Sequence, residues 1–510
     1  MSKALMIQGT SSYCGKSLIV AALCKIFANL GYKVAPFKAQ NMSLNSFVTK
    51  DNKEIARAQA LQALAAGVEP LSDMNPILLK PKGDNICQII LHGKPYKDVR
   101  VGEYYKFALN EGIKSIELSL KRLMSSYELV IIEGAGSPAE INLYDYDIAN
   151  MKVAELINAP VLLIGDIDRG GVFASIVGTL KLLKPKHRAL VKGLIINKFR
   201  GDRSILEPGL KKLEEITGKQ VLGVIPYIHD LQLPSEDSIS LEEFNKETNY
   251  TIDIVVIRLP YISNFTDFEP FKSMQGVRLR YVNSIDELNT PDILILPGTK
   301  NTIHDLIWLQ NSGLSNGILR LANQNIPIIG ICGGYQMLGK MIIDKEGIEG
   351  GVKGEFKGLN LLNIITYFDK YDKVTEKVFA EVIGEDQIFN TIKGERIYGY
   401  EIHMGLTIPI NNIKPSFRII KRGKRMVNEL DGSVSDNGLV IGTYIHGIFD
   451  NSIVREALIK FLMKRRFIQA SQFKQRNTIE IWNENLERLA KIVKDNLDMK
   501  KICELINIPY

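Results

Sequence analysis

The sequence predicts an α/β protein of two units, each built on a mostly parallel, doubly wound sheet. Three observations predict it. Short apolar runs that stop at glycine or polar residues recur along the chain, with helical spacing between them. One run at the N-terminus ends in a glycine-rich turn carrying Gly-Lys-Ser, and a later one ends in Gly-x-Cys-x-Gly. The chain, at 510 residues, is too long for a single core.

The apolar fraction of 45% and charged fraction of 24% are those of a soluble globular protein. No apolar run reaches the roughly eighteen residues of a membrane span, and the N-terminus enters a strand directly, without the pattern of a signal peptide. Five cysteines lie scattered at 14, 24, 87, 332 and 503 without metal-ligand spacing, as suits a reducing cytoplasm. A net charge of +7 is small for this length. It admits an acidic small-molecule substrate and gives no reason to expect nucleic acid or a membrane surface as partner. Oligomeric state is left open.

In chain order, residues 3–9 form a strand that runs into Gly9-Thr-Ser-Ser-Tyr-Cys-Gly15-Lys16-Ser17, and a helix follows. This is a phosphate-binding loop: Gly9, Thr10, Gly15, Lys16 and Ser17 cradle phosphate oxygens, Lys16 balances their charge and the Ser17 hydroxyl reaches Mg2+. Five residues rather than four separate Gly9 from Gly15. The next strand, in 31–41, ends in polar residues including Lys38, Gln40 and Asn41, with Asn45 beyond. The apolar run 129–132 delivers Glu133 to a strand end, where a carboxylate can hold Mg2+. Segments 159–173, 191–199 and 221–227, each an apolar strand ending in polar or turn residues, complete the first sheet. Lys38, Asn41, Asp147, Asp168 and Arg169, with Asp166, supply the carboxylates, amides and cations that would hold an acidic substrate beside ATP. The first unit spans residues 1–229, a polar stretch at 230–250 reads as a linker, the second unit spans 251–450, and 451–510 is a helical extension. Its basic cluster Lys464-Arg465-Arg466 reads as a solvated helix end.

In the second unit the strand 326–331 stops at Cys332, and a helical pattern starts just beyond Gly333-Gly334. Glycines on both sides permit a sharp strand-to-helix turn that exposes the sulfur, and the following helix start favours thiolate. The strand 439–445 brings His446 to a glycine turn, making it the candidate base; His403, after another strand-like run, competes.

Gly-Ile-Cys-Gly-Gly-Tyr-Gln (330–336) followed by Gly-Thr-Tyr-Ile-His-Gly (442–447) resembles the class I (triad) glutamine amidotransferases, and among them the branch that amidates cobyrinic acids. The resemblance implies that Cys332 attacks the glutamine carboxamide with His446 as acid/base, that Gly298, Gly333 and Gln336 belong to the glutamine site, and that the loop 297–301 lends an oxyanion N–H. Most members carry a glutamate two residues after the histidine; here that place is Ile448, so the third triad member is absent or comes from elsewhere. The lengthened phosphate loop is similar to that of the dethiobiotin synthetase type of P-loop protein, in which Asn197 would match an adenine-contacting asparagine. Segments 38–46, 75–81, 136–143, 166–173 and 262–271 also match the cobyrinic acid branch. No chemical role follows for 262–271, whose aromatic residues read as interdomain packing.

Together the two sites describe an ATP- and glutamine-dependent amidoligase. The resemblance implies amidation of the b, d, e and g carboxylates of adenosylcobyrinic acid a,c-diamide, a step of cobalamin biosynthesis. Cobyrinic acid a,c-diamide synthase has the same two modules. A partitioning-type P-loop switch with a degenerate amidotransferase domain is the rival from another class.

Overall fold

The computed structural model describes residues 3–83, 85–234, 250–410, 414–468 and 477–510. Most of the expected linker, 235–249, lies outside the described residues. The first sheet uses Lys3–Gly9 (β1), Val34–Phe37 (β2), Leu129–Glu133 (β3), Val161–Asp166 (β4), Val191–Phe199 (β5) and Val221–Pro226 (β6), all parallel, in the order β6-β5-β4-β1-β3-β2. Alternation along β1 fixes its two faces. Ala4 and Met6 pack with Ile116, Leu120 and Leu180 on one side, while Leu5 and Ile7 pack with Val20, Leu23 and Phe27 of the helix Lys16–Asn29 (α1) on the other. Helices on both faces explain why these strands read as continuous apolar runs.

Between β2 and β3 the chain makes a four-stranded side sheet from Gln40–Met42, Ile77–Gly83, Ile86–Leu91 and Lys94–Arg100. The polar run after β2 is thus a separate short strand, not an extension of β2. The second parallel sheet contains Ile252–Ile257 (β7), Val277–Val282 (β8), Ile293–Leu296 (β9), Ile328–Ile331 (β10), Ser433–Val434 (β11) and Val440–Thr443 (β12), in the order β8-β7-β9-β10-β12-β11, with only β11 antiparallel. An antiparallel sheet of Val374–Val382, Arg396–His403, Phe417–Arg422 and Arg425–Asp431 sits between β10 and β12 in sequence.

The helical extension does not stand apart. Ser452–Arg465 buries Val454, Leu458 and Leu462 in the second unit's core. Thr478–Asn496 crosses back to the first unit, where Leu486, Leu489 and Val493 join the α1 cluster and Asp498 N–H bonds Leu222 O at 2.7 Å. The basic cluster is only partly solvated: Arg465 donates to Asn325 O at 2.8 Å and Arg466 pairs with Asp292 at 2.9 Å. No helix among the described residues is long and apolar enough to cross a membrane.

Candidate active sites

β10 is buried from end to end and leaves Cys332 at φ 53°, ψ −111°, a left-handed value that a non-glycine residue adopts only where its surroundings hold it. Cys332 N–H bonds Thr443 O at 2.8 Å, tying the turn to β12, and Gly333–Leu338 forms the helix beyond. β12 in turn carries His446, whose backbone pairs with Tyr400 in both directions and whose ring stacks on Tyr400 at 5.3 Å and 14°. A Cβ on Gly298 would fall 2.8 Å from His446 Cε1 and 3.6 Å from Cys332 Cβ, so only glycine lets the loop 297–301 approach both. Gly333 lies against Thr299 of that loop.

The residue that orients His446 is Asp267. Its Oδ2 is 2.7 Å from His446 Nδ1, and its Oδ1 accepts from Tyr400 Oη at 3.0 Å and from Gly447 N–H at 3.2 Å. A carboxylate facing Nδ1 assigns the proton there, leaving Nε2 for the thiol side. Nε2 is buried and has no hydrogen-bond partner among the described residues. Burial opposes a charge on the ring, but the Asp267 carboxylate and the Cys332 sulfur outweigh it and carry the imidazole up to about 10. Because that value lies above the ordinary imidazole range, the pair's contribution to stability is complete below that range and is lost as pH rises to about 10. At neutral pH the ring beside Cys332 is an imidazolium.

Asp267 lies in 262–271, the segment for which the sequence offered no role. Its aromatic residues are not interdomain packing: Phe265, Phe268 and Phe271 are buried in the second unit's own core, and the Phe271 ring lies 4.8 Å from that of Phe449, three residues past His446, tilted by 56°. The available signal was a pair of carboxylates, Asp267 and Glu269, among phenylalanines spaced by three, with nothing to choose between the two. We expect Asp267→Asn to lower glutaminase kcat/KM by about 10²–10⁴ and to move the alkaline limb of its pH profile down from near 10. An unchanged profile measured by glutamate release would remove Asp267 from this role.

His403, the competing base, stacks on Tyr444 at 3.9 Å and lies 3.9 Å from Glu401, on the wall of the same cavity. Gln336 bridges the site's walls, accepting from Thr302 Oγ1 at 3.1 Å and donating to Met404 O and Tyr444 Oη at 2.9 and 3.0 Å.

In the first unit, Gly15 has φ +98°, and a Cβ there would fall 2.1 Å from Asn197 Nδ2. Asn197 bonds Cys14 O at 2.8 Å and so braces the loop. Thr10 N–H bonds Ile164 O at 2.9 Å. Among the described residues the buried Lys16 ammonium bonds Ser11 O at 2.9 Å, Gly136 O at 3.0 Å and Cys14 Sγ at 3.8 Å and pairs with no carboxylate, so its charge remains for an anion. Gly9 closes the cradle beside Lys16. Glu133, 1% exposed, accepts from Ser17 Oγ at 2.8 Å, Lys38 Nζ at 2.7 Å and Gln62 Nε2 at 2.6 Å. Asn41 reaches this carboxylate through Gln59, to which it donates at 2.9 Å.

The other expected substrate groups sit differently. Asp147 caps Ala149 and Asn150 N–H at 2.8 and 3.1 Å, and burial raises its pKa. Asp168 pairs with Arg200 at 2.8 Å, Asp166 with Lys198 at 2.7 Å, and Arg169 is a largely exposed side chain 3.9 Å from Asp166.

Two family profiles divide the chain: residues 5–241 match the CobQ/CobB/MinD/ParA nucleotide binding domain, and 253–454 match the CobB/CobQ-like glutamine amidotransferase domain. Among curated relatives, a cobyric acid synthase of Pelotomaculum thermopropionicum is 47% identical over 100% of this chain and 97% of its own length. A probable cobyric acid synthase of Methanosarcina barkeri is 51% identical, and a cobyric acid synthase of Clostridium botulinum 50%, each over 99% of both chains.

Proposed function

The chain belongs to the cobyric acid synthase family, and from that premise we propose that it amidates the b, d, e and g carboxylates of adenosylcobyrinic acid a,c-diamide, using ATP and glutamine, to give adenosylcobyric acid in cobalamin biosynthesis. The observation that carries the mechanism is the presence of two complete centres on one chain, a Cys332–His446–Asp267 array and a phosphate loop with a free-charged lysine.

The Cys332 thiolate attacks the glutamine carboxamide carbon, and Gly298 and Gly333, packed beside Cys332 and the loop 297–301, would supply backbone N–H groups to the oxygen that gains charge. His446 gives its Nε2 proton to the departing nitrogen, so ammonia leaves and a glutamyl thioester remains. His446 then takes a proton from water, the hydroxide adds to the thioester carbon, and the C–S bond breaks to release glutamate and restore the thiolate beside a protonated His446. In the first unit, Lys16 and the loop N–H groups hold the ATP phosphates while the γ-phosphoryl group passes to a corrinoid carboxylate. Ammonia attacks the resulting acyl phosphate, expelling phosphate and leaving the carboxamide.

Ser17 and Glu133 fit a Mg2+ ion, since one hydroxyl and one carboxylate in contact suffice where phosphate oxygens supply further ligands. Bound there, Mg2+ would neutralise charge on the phosphates. Lys38 Nζ, 2.7 Å from Glu133, already holds that side chain in place. The intact catalytic array speaks against a degenerate amidotransferase domain attached to a nucleotide switch.

Corrinoid labelled with 18O in its carboxylates tests the activation step. Each amidation is expected to release inorganic phosphate carrying 18O; unlabelled phosphate would overturn the acyl phosphate.

A further inference from the structure

The cavity in front of Cys332 carries charges that the thiol chemistry leaves unused. Its walls include Lys300 and Lys373 of the second unit, Lys80 of the first, and Glu349. Lys80 and Lys373 both close on one buried carboxylate, Glu54, the latter at 2.5 Å, so two ammonium groups share a single counter-charge. Lys300 forms no ion pair among the described residues. Burial and the neighbouring Lys373, Lys82 and Lys80 cations, only partly offset by Glu349, bring its ammonium down to about 7. Lys373 falls to about 8, chiefly through burial. An anion entering here would relieve that crowding. Glu349 is nearly buried, and its Oε1 accepts from Thr302 N–H and Oγ1, both at 3.0 Å, which leaves Oε2 for another donor.

Glutamine presents this pattern of charge. Its carboxamide must reach Cys332, and its other end carries a carboxylate and an ammonium. We propose that Lys300 and Lys80 bind the α-carboxylate of glutamine and Glu349 its α-ammonium, so that the glutamine pocket is complete only when the two units are docked. The inference rests on the glutaminase reading of Cys332. Contacts between the units include Asn301 Nδ2 to Lys82 O at 2.9 Å, Ser46 N–H to Asn264 Oδ1 at 2.9 Å, Lys373 to Glu54 at 2.5 Å and Arg57 beside Asp450 at 3.8 Å. Lys80 also sits on the strand Ile77–Gly83, whose Leu78 pairs with Asn41, and Asn41 leads through Gln59 to Glu133. One strand therefore joins the glutamine pocket to the phosphoryl-transfer centre.

The test compares hydrolysis of L-glutamine with that of L-glutamine α-amide, which keeps the γ-carboxamide but lacks the carboxylate, using the full chain. Wild type is expected to prefer glutamine in kcat/KM by about a hundredfold or more. Lys300→Met and Lys80→Met are each expected to raise KM for glutamine about tenfold or more while changing α-amide hydrolysis less than about twofold. Lys300→Arg, which keeps the charge, should retain most of the preference. Equal hydrolysis of the two compounds by wild type would overturn the proposal without any variant. So would equal losses for both compounds in Lys300→Met. Cys332-dependent glutamate release by wild type is scored separately: its absence defeats the glutaminase reading, whereas its presence without carboxylate preference defeats this inference alone.

Discussion

Replacing Cys332 by alanine is expected to reduce glutamine-dependent amidation by about a thousandfold or more, while amidation supplied with ammonium salt at alkaline pH persists. The expectation follows from the separation of the two chemistries. Cys332 lies on the turn after β10, and its partners His446 and Asp267 are buried in the second unit's core. Nothing in the phosphate loop touches them. The alanine side chain keeps the Cβ that packs beside Gly298, and the backbone bond to Thr443 is untouched, so the turn should hold its shape. Product formation with each nitrogen donor, followed by chromatography, checks the result. Equal loss with both donors would break the two-centre account.

Replacing Lys16 by alanine is expected to lower amidation with either donor by about a hundredfold or more, because both routes need the activated carboxylate. Lys16 is the cation that Ser11 O and Gly136 O hold in the cradle, and among the described residues no other lysine approaches Gly9 as closely. Cys332-dependent glutamate release should continue in this variant, since the catalytic array of the second unit is intact. Ammonia-dependent synthesis surviving at the wild-type rate would contradict the phosphate-loop assignment.

Much of this was legible in the sequence where a motif is local. The phosphate loop spans nine consecutive residues, and the cysteine turn spans five, so strand, glycines and reactive side chain are read together. The parallel sheets were legible for a related reason: strands buried on both faces leave unbroken apolar runs. What could not be read depends on long-range contacts. Asp267 reaches His446 across 179 residues of sequence, and a carboxylate two residues past the histidine, the usual place, is replaced by the buried Ile448. The return of Thr478–Asn496 to the first unit is equally invisible, because an amphipathic pattern states that a face is buried and not which core buries it. Lys80 and Glu54 belong to the same class. Each looks like an ordinary surface charge until the partner unit covers it.

One chain couples glutamine hydrolysis to carboxylate activation on a corrinoid. Mass spectrometry of adenosylcobyrinic acid a,c-diamide incubated with the protein, Mg-ATP and glutamine tests it most directly. Four successive decreases of about one mass unit each are expected, as hydroxyl is exchanged for amino. An unchanged corrinoid, with ATP and glutamine still consumed, would contradict it.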